Sequence, residues 1–135
     1  MFSSQAQPQA KRILVVDDIE DNVILLQTIL TDEGYEVDTA INGNLALTKV
    51  EASPPDLLLL DAMMPGINGY EVTRRIRENK KLPFFPILLI TAYEDANAAK
   101  GLDLGANDFI RKPIEYDELI ARVKASLRLK RMNYS

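Results

Sequence analysis

The sequence predicts an α/β domain built on one parallel sheet with helices on both faces. Five short runs rich in Val, Ile and Leu recur along its 135 residues, helical stretches alternate with them, and three of the runs are apolar at consecutive positions. Regular alternation of strand and helix calls for a parallel sheet joined by right-handed crossovers. Consecutive apolar positions are what a strand covered on both faces requires.

The first strand is Ile13 to Val16, and the helix after it carries Val23, Leu26, Ile29 and Leu30 before Gly34, a natural C-terminal stop. Val37 to Ala40 forms the second strand, and Ala46, Leu47 and Val50 mark the second helix. The third strand, Leu57 to Leu60, leads to a third helix capped by Asn68 and turned inward at Val72 and Ile76. Ile87 to Ile90 is the fourth strand, with Pro86 suited to its first position, where no ladder donor is needed. The fourth helix has the thinnest apolar stripe, Ala98 with Leu102, since Ala96, Ala98 and Ala99 offer little area to bury. Asp108 to Ile110 is the fifth strand, and the last helix carries Leu119, Ile120, Val123 and Leu127. No internal repeat or second domain is visible.

Composition narrows the chemistry. With 47% hydrophobic and 27% charged residues the chain has ordinary globular composition and one compact core is expected. Sixteen Lys and Arg against twenty Asp and Glu leave it mildly acidic, which argues against direct nucleic acid binding by general charge. There is no Cys and no His, which excludes disulfides, thiolate and imidazole metal ligands, and Ser-His or Cys-His catalysis. Carboxylates, hydroxyls, lysines and backbone remain. The longest apolar runs fall far short of the roughly 20 residues that span a bilayer, so no membrane association is expected. Residues 1–10, MFSSQAQPQA, lack the apolar core of a secretory signal and read as a flexible N-terminal tail. Cytoplasmic residence is the default expectation.

In open α/β sheets, ligands sit beyond the carboxyl ends of the strands, where the strand order reverses. The first run ends in Asp17-Asp18, the third in Asp61 and the fourth in Thr91, while Lys112-Pro113 follows the fifth. Singly these are ordinary residues: Asp and Thr cap helices, Lys is a solvated charge, and Pro forms turns. Placed together at one sheet edge, three carboxylates repel one another and raise their own pKa values unless a cation intervenes. With oxygen ligands alone, Mg²⁺ is the natural occupant, because it keeps several waters and leaves positions open for a phosphoryl oxygen. A carboxylate attacking phosphorus makes an acyl phosphate, and the burden on the site is charge neutralisation.

The segments ILVVDDIEDN, LLLLDAMMPGINGYEV, ILLITAYE and GANDFIRKPI, which surround these residues, resemble the receiver domain of two-component response regulators over residues 11 to about 129. The Asp-x-x-Met-Pro-x-x-x-Gly pattern from Asp61 to Gly69 and the Lys112-Pro113 pair are the most specific parts. The resemblance implies a flavodoxin-like (βα)5 doubly wound sheet of strand order 2-1-3-4-5, with a receiver domain at 11–131 and a C-terminal tail at 132–135. It implies that Asp61 is the phosphoacceptor, that Asp18 and Asp61 ligate Mg²⁺ directly, that Asp17 acts mainly through a bound water, and that the Met63 carbonyl is a further ligand. Thr91 and Lys112 would contact the phosphoryl oxygens, and the bond before Pro113 would be cis. Met63 and Tyr93 would flank the phosphoryl group and impede water.

The phosphodonor implied is a phosphohistidine on a sensor histidine kinase or histidine phosphotransfer protein, so the chain needs no His of its own. Such a domain promotes its own phosphorylation and dephosphorylation without being a conventional turnover enzyme. Thr91 and Phe109 would form the switch, read out on the face of the fourth helix, fifth strand and fifth helix by a homodimer or a downstream effector. Phe109 stands where many receivers have Tyr, and it brings no hydroxyl to hydrogen-bond when buried.

Two other classes share this architecture. A phosphorylation-silent interaction module typically loses an acid or the Lys, and this chain keeps all of them. A flavodoxin-like cofactor or hydrolase domain calls for a Gly-rich phosphate loop after the first strand, where DDIEDN offers carboxylates instead. The last helix ends basic, with Arg122, Lys124, Arg128, Lys130 and Arg131, which suits the helix dipole. A similar extension often leads from receivers into a further domain, so both a module of a longer protein and a stand-alone regulator fit.

Overall fold

The computed structural model describes residues 10–92 and 94–134. In chain order its elements are β1 (Arg12–Val16), α1 (Glu20–Asp32), β2 (Glu36–Ala40), α2 (Gly43–Ala52), β3 (Leu57–Asp61), α3 (Gly69–Glu78), β4 (Ile87–Thr91), α4 (Ala98–Leu104), β5 (Asp108–Arg111) and α5 (Tyr116–Tyr134). The strands form one sheet in the order β2-β1-β3-β4-β5, parallel at every pairing. This is the expected doubly wound fold.

The consecutive apolar positions divide between two cores. Ile13, Val15, Leu57, Leu59, Leu88 and Ile90 face one side and pack with α1 and α5 through Leu26, Leu30, Leu119 and Val123. Leu14, Val16, Leu58, Leu60, Ile87 and Leu89 face the other and pack with α2 and α3 through Ala46, Val50, Val72 and Ile76. The two-residue repeat of a strand makes this division, so a strand covered on both faces reads as an unbroken apolar run. Edge strand β2 instead exposes Glu36 and Asp38, charges that discourage pairing with another chain.

Three strands extend one residue beyond their apolar runs, to Asp61, Thr91 and Arg111. Ladder bonds are made by backbone, so Asp61 still pairs with Ile90 and Thr91 with Arg111. Pro86 stands just before β4 and not in it, and its carbonyl accepts the Leu58 N–H at 3.1 Å. Gly34 follows α1 with φ 96°, and Asn68 caps α3 by accepting the Glu71 N–H at 3.0 Å. Both residues therefore do what the sequence suggests.

The fourth helix departs from expectation. It buries Ala98 and Gly101, whereas Leu102 is 42% exposed. A Cβ at position 101 would collide with Leu89 and lie 3.2 Å from Tyr70 Cε1, so the missing side chain is what lets α4 settle on the sheet. The stripe runs through 98 and 101, and Leu102 points a further 100° round the helix.

Arg77 fixes the far end of that helix. Its Nε donates to the Gly105 carbonyl at 2.9 Å and its Nη2 to Asn107 Oδ1 at 2.9 Å, while Gly105 takes φ 117° as the cap. The guanidinium lies 5.1 Å and 5.8 Å from the ring centroids of Phe84 and Phe85, and burial lowers its pKa to about 10. At the other end of the domain, α5 continues past residue 131 to Tyr134, and Lys130 pairs with Asp56 at 2.5 Å. Among the described residues no helix is long and apolar enough to cross a membrane.

Candidate functional site

Because β1 is followed by β2 on one side and by β3 on the other, a crevice opens beyond the carboxyl ends of β1 and β3. Asp17 follows β1 at once and Asp61 closes β3. Asp17, Asp18 and Asp61 each offer one carboxylate oxygen to a cluster in which these atoms all lie within 4.8 Å of one another. Asp17 and Asp61 are buried, at 1% and 2% exposure, whereas Asp18 is open to solvent.

Asp17 is held rigidly. Its carboxylate accepts the Ile19 N–H at 2.9 Å and the Asn22 Nδ2–H at 3.2 Å. Asn22 escapes sequence reasoning, because an amide in the first turn of a helix reads as part of a solvated face; its only signal is its place in DDIEDN. Asp61 has less support, with the Met63 N–H at 3.4 Å and the Lys112 ammonium at 3.5 Å from Oδ1. Burial, and then the charge of Asp17, raise the Asp61 pKa to about 6 against the opposing pull of Lys112 and the Met63 N–H. A carboxyl so poised gains from any cation brought beside it.

The loop after Asp61 folds back on the strand. The Gly69 N–H donates to the Ala62 carbonyl at 2.9 Å, and a Cβ on Gly69 would collide with the Asp61 carbonyl oxygen and lie 2.8 Å from Ala62 Cα. Only glycine fits where α3 starts, which gives the Asp61 to Gly69 spacing a physical cause. Within this loop Met63 is 59% exposed, so packing against the core does not fix that residue.

Thr91 closes β4, fully buried, and its Oγ1 has no hydrogen-bond partner among the described residues. A buried hydroxyl left unpaired costs about 1–3 kcal/mol. Beside it the Lys112 N–H donates to the Thr91 carbonyl at 2.7 Å, and the Lys112-Pro113 bond is cis. Phe109 is half-buried against the α2/α3 side of the core, with the Arg111 guanidinium 5.3 Å from its ring centroid. Tyr93 lies outside the described residues.

Oxygen donors alone and a carboxyl with a raised pKa fit a hard divalent cation. Among the described residues the set carries three acids and one ammonium at contact range. It therefore favours a cationic partner first and an anion only after the carboxylates are neutralised.

Comparison with known proteins identifies the family. The family model described as the response regulator receiver domain matches residues 13–124. The response regulator PleD of Caulobacter vibrioides is 47% identical over 120 residues, covering 88% of this chain and 26% of that protein. The alkaline phosphatase synthesis transcriptional regulatory protein PhoP of Bacillus subtilis is 49% identical over 119 residues, covering 87% of this chain and 49% of that protein. The chain thus spans between a quarter and a half of the length of these curated relatives. Among solved structures, a CheY-like receiver domain protein from Methanospirillum hungatei superimposes with a TM-score of 0.85 at 28% identity, covering 93% of this chain and 99% of that one.

Proposed function

This chain belongs to the receiver domains of two-component response regulators, and from that footing we propose that it accepts a phosphoryl group on Asp61 in a Mg²⁺-dependent reaction. The observation that carries the reading is the pairing of a buried Asp61, its pKa about 6 and Lys112 at 3.5 Å, with the unpartnered hydroxyl of Thr91. The donor is a phosphohistidine of a sensor histidine kinase or a histidine phosphotransfer protein. An Asp61 carboxylate oxygen forms the new bond to phosphorus while the bond from phosphorus to the donor imidazole nitrogen breaks, its electron pair leaving with the nitrogen.

Each side chain has a part that its chemistry supports. Lys112 holds a compact positive charge against the phosphoryl oxygens. The Thr91 hydroxyl donates to one of them and so gains the partner it lacks. Asp18 and Asp61 would hold Mg²⁺ directly, Asp17 mainly through a water, and the Met63 carbonyl would complete the protein's share. The bound ion would offset the negative charge of carboxylates and phosphoryl oxygens. Asp17 is pinned by Asn22 and the Ile19 N–H, so its carboxylate is already positioned before any ion would bind.

When Thr91 turns toward the phosphoryl group, Phe109 moves and the face of α4, β5 and α5 changes, to be read by a second copy of the domain or by a downstream effector in the cytoplasm. The test is incubation with Mg²⁺ and acetyl phosphate: one phosphoryl group should appear on Asp61, and Asp61→Asn should abolish it. Undiminished uptake in that variant would move the acceptor elsewhere. No uptake by the unaltered protein would leave an interaction module.

A further inference from the structure

The connection from β4 to α4 is clamped from two sides at Ala92 and Asp95. From α3, the Tyr70 hydroxyl donates to Asp95 Oδ2 at 2.5 Å, and Asp95 Oδ1 accepts the Asn97 N–H at 2.8 Å. From β5, Arg111 Nη1 donates to the Ala92 carbonyl at 3.3 Å and to the Asp95 carbonyl at 3.0 Å. The same guanidinium lies 5.3 Å from the centroid of the Phe109 ring. Ala92 is the residue after Thr91, so one side chain touches both the loop that Thr91 begins and the ring that is to move.

Phe109 has no hydroxyl of its own with which to signal its position to that loop. A cation over an aromatic face is attracted to it, the more so when desolvated, and a charged donor to a carbonyl exceeds a neutral one in strength. Arg111 combines the two. We propose that Arg111 is a positioning residue that ties the Phe109 ring to the β4–α4 loop, so that ring and loop change state together when Thr91 is drawn toward the site. The inference rests on the phosphoryl-accepting reading for its trigger, but the tie itself exists in the resting protein and is measurable there. Tyr70 bonds the loop to α3, while Arg111 gives it the link to β5.

Two measurements test the tie. In the resting protein, amide exchange of residues 92–97 is followed in a double-mutant cycle. Arg111→Ala should speed exchange there by about fivefold or more through loss of its loop bonds. Phe109→Leu should speed it by a smaller factor when Arg111 is present and not at all in the Arg111→Ala background. Independent, additive effects of the two substitutions would overturn the proposal, with no phosphate involved. In the second measurement, fluorophenylalanine-labelled protein is titrated with Mg²⁺ and acetyl phosphate. The Phe109 fluorine shift and the loop exchange should change in parallel in the unaltered chain. In Arg111→Ala, phosphoryl uptake should persist while the Phe109 shift no longer follows the loop, and Arg111→Lys, which keeps the charge over the ring, should restore part of that coupling. A Phe109 response in Arg111→Ala as large as in the unaltered chain would overturn the proposal. Absence of uptake in the unaltered chain would strike the phosphoryl reading and leave the cycle to decide on Arg111.

Discussion

The Lys112 N–H donates to the carbonyl of Thr91 at 2.7 Å, which places the ammonium-bearing residue and the orphaned hydroxyl on neighbouring, bonded backbone. Lys112→Ala removes the charge without disturbing that bond. Phosphoryl uptake from acetyl phosphate should fall by about tenfold or more, since the site's electrostatic stabilisation is its main asset. Because Lys112 opposes the rise in the Asp61 pKa, the same variant should titrate Asp61 above about 6 in metal-free protein, followed through the side-chain carboxyl carbon by NMR.

Asp61 also makes stability depend on pH. Its folded pKa of about 6 lies above the ordinary 3.8, so the folded state binds this proton more tightly than the unfolded one does. The penalty is absent below pH 3.8, grows between 3.8 and about 6, and is complete above that, reaching about 3 kcal/mol. Asp61→Asn should therefore stabilise the metal-free protein by about 2–3 kcal/mol at pH 7 and hardly at all at pH 4. Urea unfolding at the two pH values checks this, and Mg²⁺ should shrink the gap at pH 7.

Thr91→Val should act in opposite directions on stability and response. Replacing an unpaired buried hydroxyl by a methyl of similar size removes a desolvation penalty, so the resting fold should gain about 1 kcal/mol. The phosphoryl group would then find no donor at that position. Uptake on Asp61 should persist at a reduced rate, while the change in amide exchange over residues 94–112 should shrink by at least about half. A variant less stable than the parent would indicate that Thr91 is paired in solution.

Metal affinity should separate the acids by role. Asp18→Ala removes the solvent-facing carboxylate of the acidic cluster and, on the proposed reading, should weaken Mg²⁺ binding by about tenfold or more. Asn22→Ala touches no metal; it frees the Asp17 carboxylate from its 3.2 Å bond and should weaken binding by only a few-fold. Calorimetric Mg²⁺ titration of both variants distinguishes these outcomes.

The parts of the fold that were legible in the sequence are those set by burial on two faces. Leu57 to Leu60 and Ile87 to Ile90 announce central strands, because both sides of the sheet demand apolar groups. The strand ends are less legible, since Asp61 and Thr91 join the ladder through backbone that composition does not report. Leu102 misleads because the contact position of α4 is a glycine, and an apolar stripe search passes over a residue whose contribution is an absent side chain. At the site, the placement of Asp17, Asp18, Asp61, Thr91 and Lys112 follows from alternation plus the strand-end rule. What no pattern reveals is local pairing: that Asn22 holds Asp17, that Thr91 Oγ1 is unsatisfied, or that Gly69 lies against the Asp61 carbonyl.

Arg77 gives α4 the mechanics of a hinged door. Because Arg77 ties Gly105 and Asn107, just past its last turn, to α3, any tilt of the helix would pivot about that end. The arm from residue 105 to residue 98 is about 10 Å long at 1.5 Å per residue, so a swing of about 10° displaces the leading edge by ~2 Å and the bolted edge hardly at all. A partner sensing this helix would gain nothing by gripping it near Leu104. Its discriminating contacts belong at the exposed Ala99 and Lys100, and a spin label at position 100 should report a larger displacement than one at 103.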